Sequence, residues 1–202
     1  MRKHLFAFGA LALFATAALA QTAPPPAAPQ SAPAGKLADK LINDPKSASW
    51  SVFGAGQTNQ LLATGGPQNY PAVRVTVPAK GVNPWDAGAV SPLGKPIAAG
   101  DTLLVAIYLR APMAKDGETT PVSYFGVSEG SAPYEVVANG SANVTNQWKV
   151  YYASGKAAKA YTPDTVAVGI HLATDKHVLD LGPVLVYDLG PNVDPSRLPT
   201  NG

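Results

Sequence analysis

Cysteine is absent from this chain, and charge is scarce. Without thiols there is no disulfide, no cysteine-linked lipid and no thiolate metal site. Small exported domains often lean on disulfides, so this chain must hold itself with a core, alone or helped by an ion. Charged residues make up 14% of the sequence. Lysine plus arginine number 15 against 13 aspartates and glutamates, and two of the basic residues, Arg2 and Lys3, stand at the extreme N-terminus. Without those two the chain is formally neutral. A neutral chain carries no field to gather nucleic acid or anionic lipid. Beyond His4 the only histidines are His171 and His177, too few for a transition-metal site. No long amphipathic helical pattern and no repeat of fixed period is present. Glycine and proline are instead plentiful, at 19 and 20 residues, which suits an all-β domain with many turns.

The N-terminus points to export. Arg2, Lys3 and His4 precede the apolar run "LFAFGALALFATAALA", which ends in Ala18-Leu19-Ala20, a small-x-small cleavage pattern. Residues 1–20 therefore read as a signal peptide, with cleavage after Ala20 and a periplasmic or secreted product. The run is shorter than the about 20 residues that span a bilayer, so no membrane insertion is expected after cleavage. Residues 21–36 begin "QTAPPPAAPQSAPAG", a Pro/Ala-rich linker that cannot bury a core and favours extended polyproline II. The folded domain is expected over 37–190, followed by a flexible, polar and Pro-rich tail over 191–202.

Within that domain, "KLADKLINDP" allows one short helical turn before Asn43-Asp44-Pro45 stops it. Strand signals then recur. Val73, Val75 and Val77 alternate with Arg74 and Thr76. Leu103, Val105, Ile107 and Leu109 share one face of "GDTLLVAIYLRAP". Val166, Val168, Ile170 and Leu172 share one face of "TVAVGIHL", with His171 opposite. "SWSVFG", "PVSYFGV" and "QWKVYY" are further strands, and Gly182-Pro183 predicts a bulge within "HVLDLGPVLVYDLG". Short strands at regular spacing argue for two packed antiparallel sheets, a jelly roll or a relative.

The strings "NPWDAG", "PIAAGDTLLVAIYLRAP", "APYEVV", "NQWKVYY" and "VAVGIHLATDKHVLDLGPVLVYDLG", in that order, carry a family likeness. The chain resembles the jelly-roll carbohydrate-binding modules of the galactose-binding-like superfamily, the type attached to xylanase-like glycoside hydrolases. The resemblance covers about Ser49 to Gly190. It implies a two-sheet antiparallel jelly-roll β-sandwich that binds a poly- or oligosaccharide through aromatic residues on a concave sheet face or an edge loop. It also implies that a structural calcium is common, and Asp188 and Asp44 are the residues placed to join one. No compact acidic calcium loop is present.

Sugar binding needs a flat ring to stack on a pyranose and polar groups to fix its hydroxyls. Trp85 and Asp86 offer both in the turn-rich stretch "GVNPWDAG". That indole either caps the core or is held out for a ligand. Tyr124 and Tyr134 lie in or beside strands near turns. Tyr108, Arg110 and His171 occupy the non-core faces of two strands that could line one open sheet, although Arg110 ends a central strand in a manner that suits pairing with a buried acid. Trp50 and Trp148 alternate with apolar neighbours and are assigned to the core.

Two catalytic readings are weaker. "GVSEG" matches the nucleophile elbow G-x-S-x-G, with Ser128, Asp164 and His171 in the chain order of a small esterase, but a proline-containing turn and a strand follow where a helix is required. A glycosidase needs two opposed carboxylates, and among Glu118, Glu129 and Glu135 the last two are separated by Pro133. The expectation is a non-catalytic binding domain. The alternative is an envelope structural or protein-interaction sandwich that presents an edge or loop to an envelope protein.

Overall fold

The computed structural model describes residues 35–45 and 50–201. The expected signal peptide, and the expected linker up to residue 34, lie outside the described residues. A short helix α1 (Gly35–Ala38) precedes ten strands: β1 (Ser51–Gly54), β2 (Thr58–Leu62), β3 (Ala72–Val77), β4 (Ala87–Pro92), β5 (Thr102–Arg110), β6 (Thr120–Glu129), β7 (Val136–Val144), β8 (Lys149–Lys156), β9 (Val166–His171) and β10 (His177–Asp188). All pairings are antiparallel, in the order β1-β4-β9-β6-β7-β8-β5-β10-β3-β2. The protein is a jelly-roll β-sandwich, with β1-β4-β9-β6-β7 as one layer and β8-β5-β10-β3-β2 as the other.

The alternating residues build the core between the layers. Leu103, Val105, Ile107 and Leu109 are fully buried, as are Val75, Val168 and Phe125. Each such side chain contributes about 1.5–3 kcal/mol of burial. Two strands have no such alternation. β2 (TNQLL) and β4 (AGAVSP) are strands because β3 and the β1/β9 pair supply the hydrogen bonds. Trp148 departs from the core assignment. Tyr151 and Ala153 are the β8 residues that turn inward, so Trp148 falls on the outer face, half-buried beside Arg110. Trp50 is buried as expected, and its indole N–H donates to the Gly182 carbonyl at 3.0 Å. That carbonyl is turned out by the bulge in β10, where the register with β5 shifts between Leu181 and Val184. A Cβ on Gly182 would lie 3.0 Å from both the Trp148 ring and Tyr108 Cβ, so only glycine fits easily there.

The layers join through one residue pair, Asn139–Ser154. Beyond it β7 and β8 part, and side chains take over their backbone groups. Tyr151 Oη accepts from Thr145 N at 3.3 Å and donates to the Asn143 carbonyl at 3.2 Å. Asn201 accepts from Tyr152 N at 2.7 Å and donates to the carbonyls of Tyr152 and Ser141, each at 2.8 Å. The segment expected to be a flexible tail is therefore tied to both strands at this seam.

Asp180 is the charged group at the centre of the second layer. It sits on β10 between Arg110 of β5 and Arg74 of β3, all three in one row. Its side chain is 0% exposed. Arg74 donates from Nε at 2.7 Å and Nη2 at 2.9 Å, and Arg110 from Nη2 at 2.6 Å and Nε at 3.0 Å. The Arg110 guanidinium lies 4.9 Å from the Trp148 ring centroid. Arg110 thus pairs with a buried acid, as its position at a strand end suggested. The bond to Asp180 raises the Arg74 pKa.

Asp180→Asn keeps the shape and loses the charge, and turns an NH2 toward a guanidinium. It is expected to cost about 3 kcal/mol in urea unfolding, at the low end for breaking a buried pair because both arginines reach solvent. Arg74→Met is expected to cost less, since Arg110 still holds the carboxylate.

His177 opens β10 and is buried, with neither ring nitrogen at hydrogen-bonding geometry to a partner among the described residues. Burial lowers its pKa, while the Asp175 carboxylate and Leu172 carbonyl oppose the shift in part. The unfolded chain then binds the proton more readily than the folded one. Its contribution to stability is complete above the ordinary value of about 6.5 and is lost as pH falls through the lowered folded value. Thermal midpoints are expected to drop between pH 7 and pH 5 more steeply in the native chain than in His177→Gln.

Candidate functional site

The site begins with small residues. On the outer face of the first layer, β9 presents Ala167, Gly169 and His171, and β6 presents Tyr124, Gly126 and Ser128. Gly126 pairs with Gly169, and Ser128 with Ala167. These residues are too small to pack a core. They form a low floor, which β4 extends with Gly88 opposite His171 and Val90 opposite Gly169. On the far side, Asn139 of β7 pairs with Gly126.

Aromatic rings gather at one end of that floor. Tyr124 and His171 have ring centroids 4.6 Å apart, and Trp85 meets His171 edge-on at 5.9 Å and 61°. Tyr124 lies over Gly169, where an added Cβ would meet its ring at 3.7 Å. Phe53 of β1 stands opposite Gly88 and covers it, so a Cβ there would fall 2.7 Å from the Phe53 ring.

Trp85 is held outward by its turn. Pro84–Asp86 form a single 3-10 turn, capped at both ends of one box: Asp86 Oδ2 accepts from Asn83 N at 2.8 Å, and Oδ1 from Asn83 Nδ2 at 3.3 Å. The turn is pinned to the end of β9 by Ala173 N donating to the Pro84 carbonyl and Leu172 N to the Ala87 carbonyl. The indole is 57% exposed. It does not cap the core. The same cap lowers the Asp86 pKa, first through the Asn83 backbone N–H, so Asp86 serves its turn and its carboxylate is already partly engaged.

Burial sets the acid–base character of the other two rings. It lowers the His171 pKa, so the imidazole is neutral near pH 7. It raises that of Tyr124, with Ser128 opposing. Tyr124 Oη is buried without a hydrogen-bond partner among the described residues. A half-buried, unionised phenol beside a neutral imidazole and an exposed indole can stack on an apolar ring face and exchange hydrogen bonds with hydroxyls.

The structure thus brings together Trp85, Tyr124 and His171 and leaves two other expected residues elsewhere. Tyr108 does not share an open sheet with His171. Its strand β5 lies in the second layer, with β6, β7 and β8 between it and β9. There Tyr108 lines a separate hollow of about 230 Å³ with Tyr70, Pro67, Pro183 and Leu185. Tyr134 is 63% exposed in the loop joining β6 to β7. That loop is fastened by Lys159 Nζ, 2.7 Å from Glu129 and 3.0 Å from Glu135. Phe53, Gly126 and Gly169 are site residues that the sequence reading did not single out. The one hint was a strand face of Ala167, Gly169 and His171, too small and polar for a core.

The catalytic readings lose their geometry here. Ser128 is the next-to-last residue of β6, opposite Ala167, and His171 is four residues further along β9, about 13 Å away. Asp164 is exposed in the turn before β9. Glu129 and Glu135 share one lysine and do not oppose each other across a cleft. The Lys159 ammonium lowers the Glu129 pKa, the reverse of what a general acid needs.

The calcium expectation does not fit these residues. Asp188 lines a hollow with Asp39 and Asp101, and Lys40 and Lys95 line it too. The Asp188 pKa is raised, first by burial and further by Asp101, with Lys40 opposing. Three carboxylates interleaved with two ammonium groups make a poor donor set for a hard dication. Asp44 does not line that hollow. Among the described residues no group of three or more histidines, aspartates or glutamates is placed to hold a metal ion, and no helix is long and apolar enough to cross a membrane.

No family model and no curated protein matches the sequence. Solved structures do. The second N-terminal cellulose-binding domain of Cellulomonas fimi β-1,4-glucanase C is 22% identical at a TM-score of 0.53, over 75% of this chain and 93% of that one. The CBM22-1–GH10 modules of Clostridium thermocellum endo-1,4-β-D-xylanase 10B, complexed with xylohexaose, are 13% identical at 0.52 over 77% of this chain. An arabinose-bound GH51 α-L-arabinofuranosidase is 11% identical at 0.55 over 73% of it. This chain spans only 30% and 26% of the length of those last two proteins. At these identities the likeness concerns architecture: the chain has the jelly-roll β-sandwich fold that carbohydrate-binding modules of xylanases and cellulases also have.

Proposed function

We propose that this chain is an exported, non-catalytic domain that binds a poly- or oligosaccharide on the outer face of β1-β4-β9-β6-β7. The observation that carries the proposal is the contiguous set of Trp85, His171 and Tyr124 rings beside a floor of Gly126, Gly169, Ala167 and Ser128. Small floor residues let a sugar ring approach the sheet, and the exposed indole supplies an apolar plane for it to stack on. The neutral His171 ring offers a hydroxyl partner. The shared architecture with the cellulose-binding domain supports the same reading.

In this proposal residues 1–20 direct export, and the Pro/Ala linker lets the domain reach away from its attachment point in the periplasm or outside the cell. Binding is expected to weaken at least tenfold in Trp85→Ala, about 1.4 kcal/mol of lost stacking. Tyr124→Ala is expected to weaken it comparably. Tyr108→Ala, on the opposite layer, is expected to leave it within twofold. Calorimetry against soluble xylan, β-glucan and cello- and xylo-oligosaccharides reads all three. Absence of binding across that panel, or full affinity in both Trp85→Ala and Tyr124→Ala, would end the proposal.

A further inference from the structure

The two ends of the strand order are unusual in one respect. Among the described strands β1 pairs only with β4, and β2 only with β3. From Trp50 to Val73 the sequence contains no Asp, Glu, Lys, Arg or His, and both edge strands lie inside that stretch. A sheet edge offers a row of unpaired N–H and C=O groups. Proteins ordinarily blunt it with charge, proline, a bulge or a covering segment.

Among the described residues β2 has none of these protections. Thr58–Leu62 contains no proline and no charged residue, and its register with β3 runs without a bulge from Thr58–Thr76 to Leu62–Ala72. Its first four residues are exposed. Leu61 pairs with Val73, a core residue, and so faces the core side of the sheet; yet it is 61% exposed. Among the described residues no further strand lies beyond β2.

We propose that β2 is a self-pairing edge, through which two copies of this chain associate by antiparallel addition of β2 to β2 about a two-fold axis. The strand is its own complement. With the axis at Gln60, Thr58 stands opposite Leu62 of the second copy and Asn59 opposite Leu61, so each exposed leucine gains a neighbour. No like charges meet across the axis, because the strand has none. The linker of the same chain is a poor occupant of this edge. Its prolines at 24, 25, 26, 29 and 33 lack the N–H that a ladder requires. Pairing of five residues buries less than the about 1,200 Å² of a stable interface, so association is weak and depends on concentration. This inference stands apart from sugar binding, which uses a sheet face and not its edge.

Sedimentation velocity of the full chain from about 10 µM to about 1 mM is expected to show a monomer passing into a dimer, a range that corresponds to about 4–7 kcal/mol of association. Gln60→Lys sets like charges across the axis, and Leu61→Lys puts one beside it. Both are expected to weaken association at least tenfold with an unchanged thermal midpoint, since both side chains are already exposed. Because the chain has no cysteine, Gln60→Cys introduces a single thiol at the axis. Mild oxidation is expected to link two copies through it, and not through Lys115→Cys in an exposed loop. A monomer throughout the range, a dimer that persists in both lysine variants, or equal cross-linking at the two cysteine positions overturns the proposal.

Discussion

The ion-pair row Arg74–Asp180–Arg110 constrains the second layer more than any other single contact. A fully buried carboxylate is tolerable only with its partners in place. The requirement that both guanidinium groups reach it fixes how β3, β10 and β5 lie side by side. The bulge at Gly182-Pro183 begins just beyond, and the Gly182 carbonyl accepts from the Trp50 indole. Trp148 then lies beside Arg110 on the outer face, with its own N–H donated to the Gly65 carbonyl at 3.2 Å. One acidic side chain thereby ties together three strands, a bulge and two tryptophans.

The two outer faces differ for that reason. The face of the second layer carries the ion-pair row and Trp148, and Asn201 reaches it at the seam. On the face of the first layer no buried ion-pair row stands among the described residues, and Asn201 reaches that layer only at the Ser141 carbonyl of β7. Its strands pack inward through Val168, Ile170, Phe125 and Val127, and outward they show glycine, alanine and serine. Structural burden and open surface are separated onto opposite sides of one sandwich. The rings at the open face are placed by local devices: a capped turn for Trp85, a strand alternation for Tyr124 and His171.

Much of the architecture was legible in the residues. In β3, β5 and β9, where apolar side chains alternated, the strand and its buried face followed. β2 and β4 were not legible, because polar and small residues become strands there only through a neighbour's hydrogen bonds. Trp148 shows the limit of alternation as a guide. The pattern in "QWKVYY" separates two faces correctly but does not say which is inside, and the face of Tyr151 prevailed. Of the candidate site, the indole in its turn and the Tyr124 and His171 rings were named. Their mutual contact was not, and Tyr108 was grouped with them only because strand order is invisible to a local pattern.

The amino-acid sequence by itself determined the absence of covalent staples, the positions of most strands and the residues able to make a core, because these depend on composition and on short-range periodicity. Only the tertiary structure decided which strands are neighbours. That in turn decided that Trp85, His171 and Tyr124 share one face, that Tyr108 lies on another, and that β2 ends the sheet uncovered. Strand order is a matter of contacts between residues far apart in the chain, and a repeat of two along one strand carries no information about the strand beside it.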